Sequence, residues 1–239
     1  MSLNGNILKI IAALSMLVDH IGLILFPGNI IFRIIGRIAF PIFAFMISEG
    51  CNHTRNKLKY FLSIFILSLL CQCAYFVFEQ TLYMGVLVTF SLSILVIYSL
   101  DYFKEMLYNN HCSVISTVLS AVLFLTSVLT VYVLNVYFDI DYGFWGCMMP
   151  VFASAFRNTR NTSFMFFNKL DKNIVRVLVF SVAILVVSVK LGGIQAYSLL
   201  SVPFLMLYSG KRGKYKMKWF FYVFYPLHLL VLHLINVLM

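Results

Sequence analysis

Long apolar runs alternate with short polar breaks along the whole chain. Nine runs stand out, at about 7–26, 30–51, 60–79, 84–103, 113–138, 144–157, 174–191, 194–209 and 219–238. Most reach or approach the roughly 20 residues a helix needs to cross lipid. The runs at 144–157 and 194–209 are short for a full crossing and suit tilted, extended or re-entrant segments. The pattern predicts an all-α, polytopic transmembrane helical bundle of about nine helices. A transmembrane barrel would show short alternating strands instead. No soluble domain, internal repeat or low-complexity tract interrupts the pattern, so 1–239 reads as a single integral membrane domain. The first run is too long for the core of a cleaved signal and lacks its small-residue end, so it is kept as a helix.

Composition agrees: 62% of residues are hydrophobic and 11% charged, where a soluble domain carries about a quarter charged. The net charge of +10 comes from 18 Lys and Arg against 8 Asp and Glu. These cations lie mostly between apolar runs, so the positive-inside rule accounts for them and no nucleic-acid partner is expected. "NHTRNKLK" carries Arg55, Lys57 and Lys59; the 157–172 connector carries Arg157, Arg160, Lys169 and Lys172; "GKRGKYKMK" carries Lys211, Arg212, Lys214, Lys216 and Lys218. The alternate connectors, 27–29, 80–83, "FDIDYG" and Gly192-Gly193, hold neither Lys nor Arg. This places the N-terminus in the cytoplasm, the C-terminus outside, and the chain in the cytoplasmic membrane. The cysteines, Cys51, Cys71, Cys73, Cys112 and Cys147, are odd in number and mostly inside apolar runs. They read as inert thiols, with neither disulfide nor metal site expected.

The chemistry lies in the charges that the apolar runs hold. His20 sits 13 residues past Ile7, about 20 Å along a helix entering from the cytoplasm. Arg37 sits 7 residues past Ile30, about 10 Å along a helix returning from outside. In a core about 30 Å thick these depths nearly coincide. Arg33 and Arg37, four apart, share one helix face. On the last run, His228 and His233 lie about 14 and 21 Å past Trp219, beyond a helix-kinking Pro226. Ionisable groups at such depth are costly and mark function by default. The plainer readings stand beside that one. Asp19 pairs structurally with Arg33 or Arg37; His233 is an interfacial histidine; His228 divides evenly between the two. His20 is the sharpest candidate, because no neighbour requires it and imidazole titrates near neutrality. Glu49 reads as solvated or paired with Arg55, and His53 as a loop residue. "GKRGK" lacks the spacing of a phosphate-binding loop, and alone reads as an orientation signal.

The stretches "LKIIAALSMLVDHIGLILFP", "FRIIGRIAFPIFAFMISEGCNHTRN", "YGFWGCMMPVFASAF" and "QAYSLLSVPFLMLYSGKRGKYKMKWFFYVFYPLHLLVL" resemble the TraX family from Leu8 to Leu232. Ser209 stands where an asparagine is expected, and Leu69–Leu134 matches in apolar character only. The family takes its name from a membrane protein that N-acetylates the pilin of conjugative pili. The resemblance implies an integral membrane acetyltransferase using cytosolic acetyl-CoA. Its acceptor is an extracytoplasmic amine or hydroxyl, on a peptide N-terminus or an envelope glycan. It draws attention to Asp19 and His20 in "VDHIG", Arg33 and Arg37 in "RIIGR", Arg55 in "HTRN", and Tyr225 and His228 in "FYPLH".

Acetyl transfer needs a base and donors for a developing oxyanion. His20 is the expected base, directly or through an acetyl-histidine, with His228 or an arginine at the oxyanion. Lys57, Lys59, Lys211, Arg212 and Lys214 suit the phosphates of acetyl-CoA. The partners expected are therefore acetyl-CoA, the acceptor and the lipid bilayer, and an oligomer is compatible with the exposed apolar helix faces. Two rivals remain open: a proton-coupled transporter, which the lack of an inverted repeat disfavours, and a non-catalytic factor assembling a surface polymer.

Overall fold

A computed structural model describes residues 2–80, 82–108, 112–158, 172–215 and 217–238. Its helices are α1 (Gly5–Ile24), α2 (Ile30–Gly36), α3 (Ala39–His53), α4 (Lys57–Glu79), α5 (Val86–Tyr108), α6 (Val114–Tyr137), α7 (Gly143–Ala155), α8 (Asn173–Leu191), α9 (Val202–Met206) and α10 (Lys218–Leu238). A 3₁₀ helix, Gly193–Ser201, precedes α9. Among the described residues seven helical spans are long and apolar enough to cross a membrane, and two shorter apolar segments accompany them. The chain is thus an all-α, multi-pass membrane protein. The shorter segments are those expected. α7, with 13 residues, is about 20 Å long. Gly193–Met206 reaches about 25 Å, because a 3₁₀ helix rises near 2.0 Å per residue. Three of the connector cations, Arg160, Lys169 and Lys216, lie outside the described residues.

The described residues group into two units. In Met1–Met46 with Ile184–Met239, α1 packs against α2 and α10. Asn4 caps α1, its Oδ1 accepting from the backbone of Asn6 and Ile7, both at 3.1 Å. Leu8, Ala12 and Met16 are buried at intervals of four, and the same face of α1 continues to His20. Glycine lets α2 approach: a Cβ on Gly36 would overlap the Asp19 side chain, and one on Gly22 would overlap Phe32.

The run at 30–51, expected as one helix, is interrupted at Arg37–Ile38. Pro41 explains the break. It has no N–H to donate, and its ring crowds the carbonyl four residues earlier, that of Arg37. The chain adapts through three-residue bonds, Arg37 N–H to Ile34 O at 3.2 Å and Ile38 N–H to Ile35 O at 3.3 Å.

Residues 207–215 clasp the start of α1. Leu3 N–H donates to Leu207 O (2.7 Å), Ser209 N–H to Leu3 O (2.8 Å), Gly5 N–H to Lys211 O (2.8 Å) and Asn6 N–H to Arg212 O (3.1 Å). Gly213, at φ +101°, lies against the Asn4 and Asn6 side chains, where a Cβ would come within 2.9 Å of both. Any other residue there is strained twice over.

The second unit, Ile47–Ala183, centres on α5, which packs against α4, α6 and α7. Its core includes Ile94, Ile97, Cys147, Met149 and Phe180. Hydroxyls stitch the helices: Ser93 Oγ donates to Cys147 O and Thr89 Oγ1 to Asp141 O, each at 2.7 Å. One side of α6 leaves Val114, Val118, Val122, Leu125 and Leu129 exposed, the apolar surface a helix turns to lipid. All five cysteines are free thiols, with Cys51 and Cys147 buried.

A buried charge cluster lies in this unit. Glu49 is 5% exposed and pairs with Arg157 at 2.8 Å and with Arg176. Arg157 Nη1 also donates to Ser48 O at 2.9 Å, and the Asn52 amide oxygen accepts from Arg157 Nε and Nη2 at 2.8 Å. Lys104 Nζ donates to Ser154 O at 2.6 Å. This corrects the expectation for Glu49, which is neither solvated nor paired with Arg55. It also corrects that for Arg157: just past the end of α7, its side chain turns into the protein because a buried carbonyl, an amide oxygen and a carboxylate accept its donors there.

Candidate active site

The polar residues expected at one depth do meet, in the first unit. Asp19 accepts from both arginines, with Arg33 Nη1 at 2.8 Å and Arg37 Nη2 at 3.0 Å from each carboxylate oxygen. The bare surface of Gly36 is what admits the carboxylate between them. Arg37 is fully engaged: Nη1 donates to Gln195 Oε1 at 3.1 Å and Nε to Arg33 O at 3.3 Å. The Pro41 break leaves this side chain folded back over its own helix end. Arg33 holds only its Nη1 on Asp19 among these contacts, and its side chain is 26% exposed against 12% for Arg37.

Asp19 makes no bond to the neighbouring imidazole, as the 100° step between adjacent helical residues requires. His20 instead meets α10. Its Nδ1 lies 2.8 Å from His228 Nε2, with the ring centroids 5.0 Å apart. His228 Nδ1 lies 2.8 Å from the carbonyl oxygen of Phe224. That oxygen can only accept, so His228 carries its proton on Nδ1. With both rings neutral, His228 Nε2 must then accept from His20 Nδ1–H. His20 Nε2 is left with an open lone pair. A backbone carbonyl thus sets the tautomer of two rings in series.

Phe224 stacks on His228 with centroids 5.0 Å apart, and Tyr225 meets it edge-on at 6.0 Å. They hold the ring, and His228 is 6% exposed. α10 continues through Pro226. The kink expected there does not end the helix.

The basic candidates fall in different places. Lys211, Arg212 and Lys214 are exposed on the clasp at the start of α1, whose first turn is some 14 residues or about 21 Å from His20. Arg55, Lys57 and Lys59 are exposed at the α3–α4 connection of the second unit, where Lys57 Nζ sits 5.4 Å from the Tyr98 ring centroid. Gln195 was not anticipated. Its only sequence signal is an amide just after Gly192-Gly193, near the mouth of an apolar run. Arg157 reads as a connector charge in the sequence and Arg176 lies near the start of the 174–191 run; nothing there announces that they converge on Glu49.

The family described as TraX protein matches residues 4–236, nearly the whole chain. An uncharacterized protein of Rickettsia prowazekii (strain Madrid E) is 35% identical over 114 residues, covering 46% of this chain and 43% of that protein. The chain therefore matches less than half the length of that relative. No solved structure matches.

Proposed function

The chain belongs to the TraX family, and on that premise we propose that it is a membrane acetyltransferase. It moves an acetyl group from cytosolic acetyl-CoA to an amine or hydroxyl at the outer side of the cell membrane. The acceptor is a peptide N-terminus or an envelope glycan. The observation that carries this reading is the His20–His228–Phe224 series, which leaves His20 Nε2 as an open base.

The acceptor nucleophile attacks the thioester carbonyl as His20 Nε2 takes its proton. The imidazolium formed keeps its Nδ1–H on His228 Nε2. The carbonyl oxygen becomes an oxyanion, and Arg33, with donors beyond Asp19, is the cation available to it. Collapse breaks the C–S bond. His20 returns its proton to the leaving sulfur, releasing CoA thiol and the acetylated acceptor. His228 is a positioning residue in this scheme, because its Nε2 lone pair is committed to His20. Asp19 and Arg37 hold Arg33 in place. The clasp supports the donor end: Lys211, Arg212 and Lys214 expose three cations there, suited to the phosphates of acetyl-CoA. The long, thin pantetheine arm spans from there toward His20. The charge pattern of the connectors supports a cytoplasmic clasp and a His20 in the outer half of the membrane.

Labelled acetyl-CoA with the purified protein in detergent tests this route. Direct transfer leaves no label on the protein before acceptor is added, whereas a covalent route labels His20. Thermal stabilisation by acetyl-CoA is expected. Its absence, with full function of His20→Ala, would return the protein to the transporter or assembly-factor readings.

A further inference from the structure

Gln195 is 3% exposed, and its Nε2 has no hydrogen-bond partner among the described residues. The orientation of this amide is not arbitrary. Arg37 Nη1 can only donate, so the atom 3.1 Å from it must be the oxygen, and the NH₂ group must be the other end. The backbone beneath is held as well. Gln195 N–H donates to Gly192 O at 3.1 Å, and Ser188 Oγ donates to Gln195 O at 3.1 Å. Gly192 and Gly193, at φ +67° and +55°, make the turn that starts the 3₁₀ helix. A nine-residue 3₁₀ helix is itself unusual, and such segments recur at functional places. Anchored at backbone and oxygen, the amide presents two N–H donors with nothing to receive them. Natural proteins rarely leave a buried donor in that state unless something absent from the structure fills it.

The position says what that is. Gln195 is joined through Arg37 to Asp19, the residue before His20. We propose that Gln195 is a catalytic residue whose Nε2–H donates to the carbonyl oxygen of the transferred acetyl group. It shares the developing oxyanion with Arg33. This rests on the transferase reading. Arg37 then polarises the amide and fixes which end of it faces the substrate.

Two substitutions separate this role from a structural one. Gln195→Glu keeps an acceptor for Arg37 and removes the N–H donors. Gln195→Met removes both. The catalytic role predicts that kcat falls by about 10²- to 10³-fold in each variant, with KM for acetyl-CoA changed less than about threefold. It also predicts that Gln195→Glu melts close to the wild type. A purely structural role predicts that Gln195→Glu, folded and still bound to Arg37, turns over at nearly the wild-type rate, and that result overturns the assignment. A wild type that transfers no acetyl group sinks the transferase reading and this one together. An active wild type with an equally active Gln195→Glu sinks this one alone.

Discussion

Two clusters of buried charge occupy this protein, one in each unit, and they are built to different ends. Around Glu49 a carboxylate is gripped by two guanidiniums, with carbonyls, a hydroxyl pair and an amide closing the shell. Around Asp19 the same pairing of one carboxylate with two arginines recurs. There it stands beside two imidazoles linked at 2.8 Å and an amide with idle donors. Burial of charge is common to both. A pair of imidazoles in contact, with an open lone pair on His20, belongs to one. Buried ions alone thus make a poor marker of a site, since pairing can absorb all of their chemistry.

That contrast can be broken by substitution. His20→Ala should cost about 10²- to 10⁴-fold in transfer, the usual worth of a positioned base, while the melting temperature in detergent stays near the wild type; turnover above a tenth of normal would remove His20 from the chemistry. Glu49→Ala should do the reverse. Two buried guanidiniums lose their carboxylate, at about 3–5 kcal/mol, so thermal unfolding should come much earlier while kcat per folded molecule holds. His228→Ala should lower kcat about 10- to 100-fold, the worth of one hydrogen bond that orients the base. His228→Gln, whose amide oxygen can accept from His20 Nδ1–H, should recover part of that loss. Gly36→Ala pushes a methyl into Asp19 and should cost about 1–3 kcal/mol, read as earlier melting with reduced transfer. Lys211→Ala and Arg212→Ala, exposed on the clasp, should each raise KM for acetyl-CoA about two- to fivefold, with the effect shrinking as salt rises.

Much of this arrangement was legible from the sequence because lipid imposes strong rules. Counting residues from the membrane boundaries set His20 and Arg37 at nearly one depth and offered Asp19 to Arg33 or Arg37, and the structure joins Asp19 to both arginines. Counting set His233, at about 21 Å, nearer the depth of His20 than His228, at about 14 Å, yet it is His228 that meets His20, because counting along a helix does not say which face looks at which. Their contact needed the packing of α10 on α1. The break at Arg37 was half legible, since Pro41 has no N–H to give its own helix, which does not say that Arg37 itself would fold back to serve the exposed carbonyl of Arg33. Gln195 was invisible: a glutamine after two glycines looks like a connector until its amide is seen held by Arg37.

The order of apolar runs sufficed for an all-helical membrane protein. Lipid accepts no unpaired backbone, and so leaves a chain of this composition few alternatives. Azimuth was another matter. Which of two buried carboxylates neighbours a base, and which merely ties helices together, depends on how side chains from distant segments interlock. That interlocking is a property of close packing, which is read in three dimensions and is not written in any local stretch of residues.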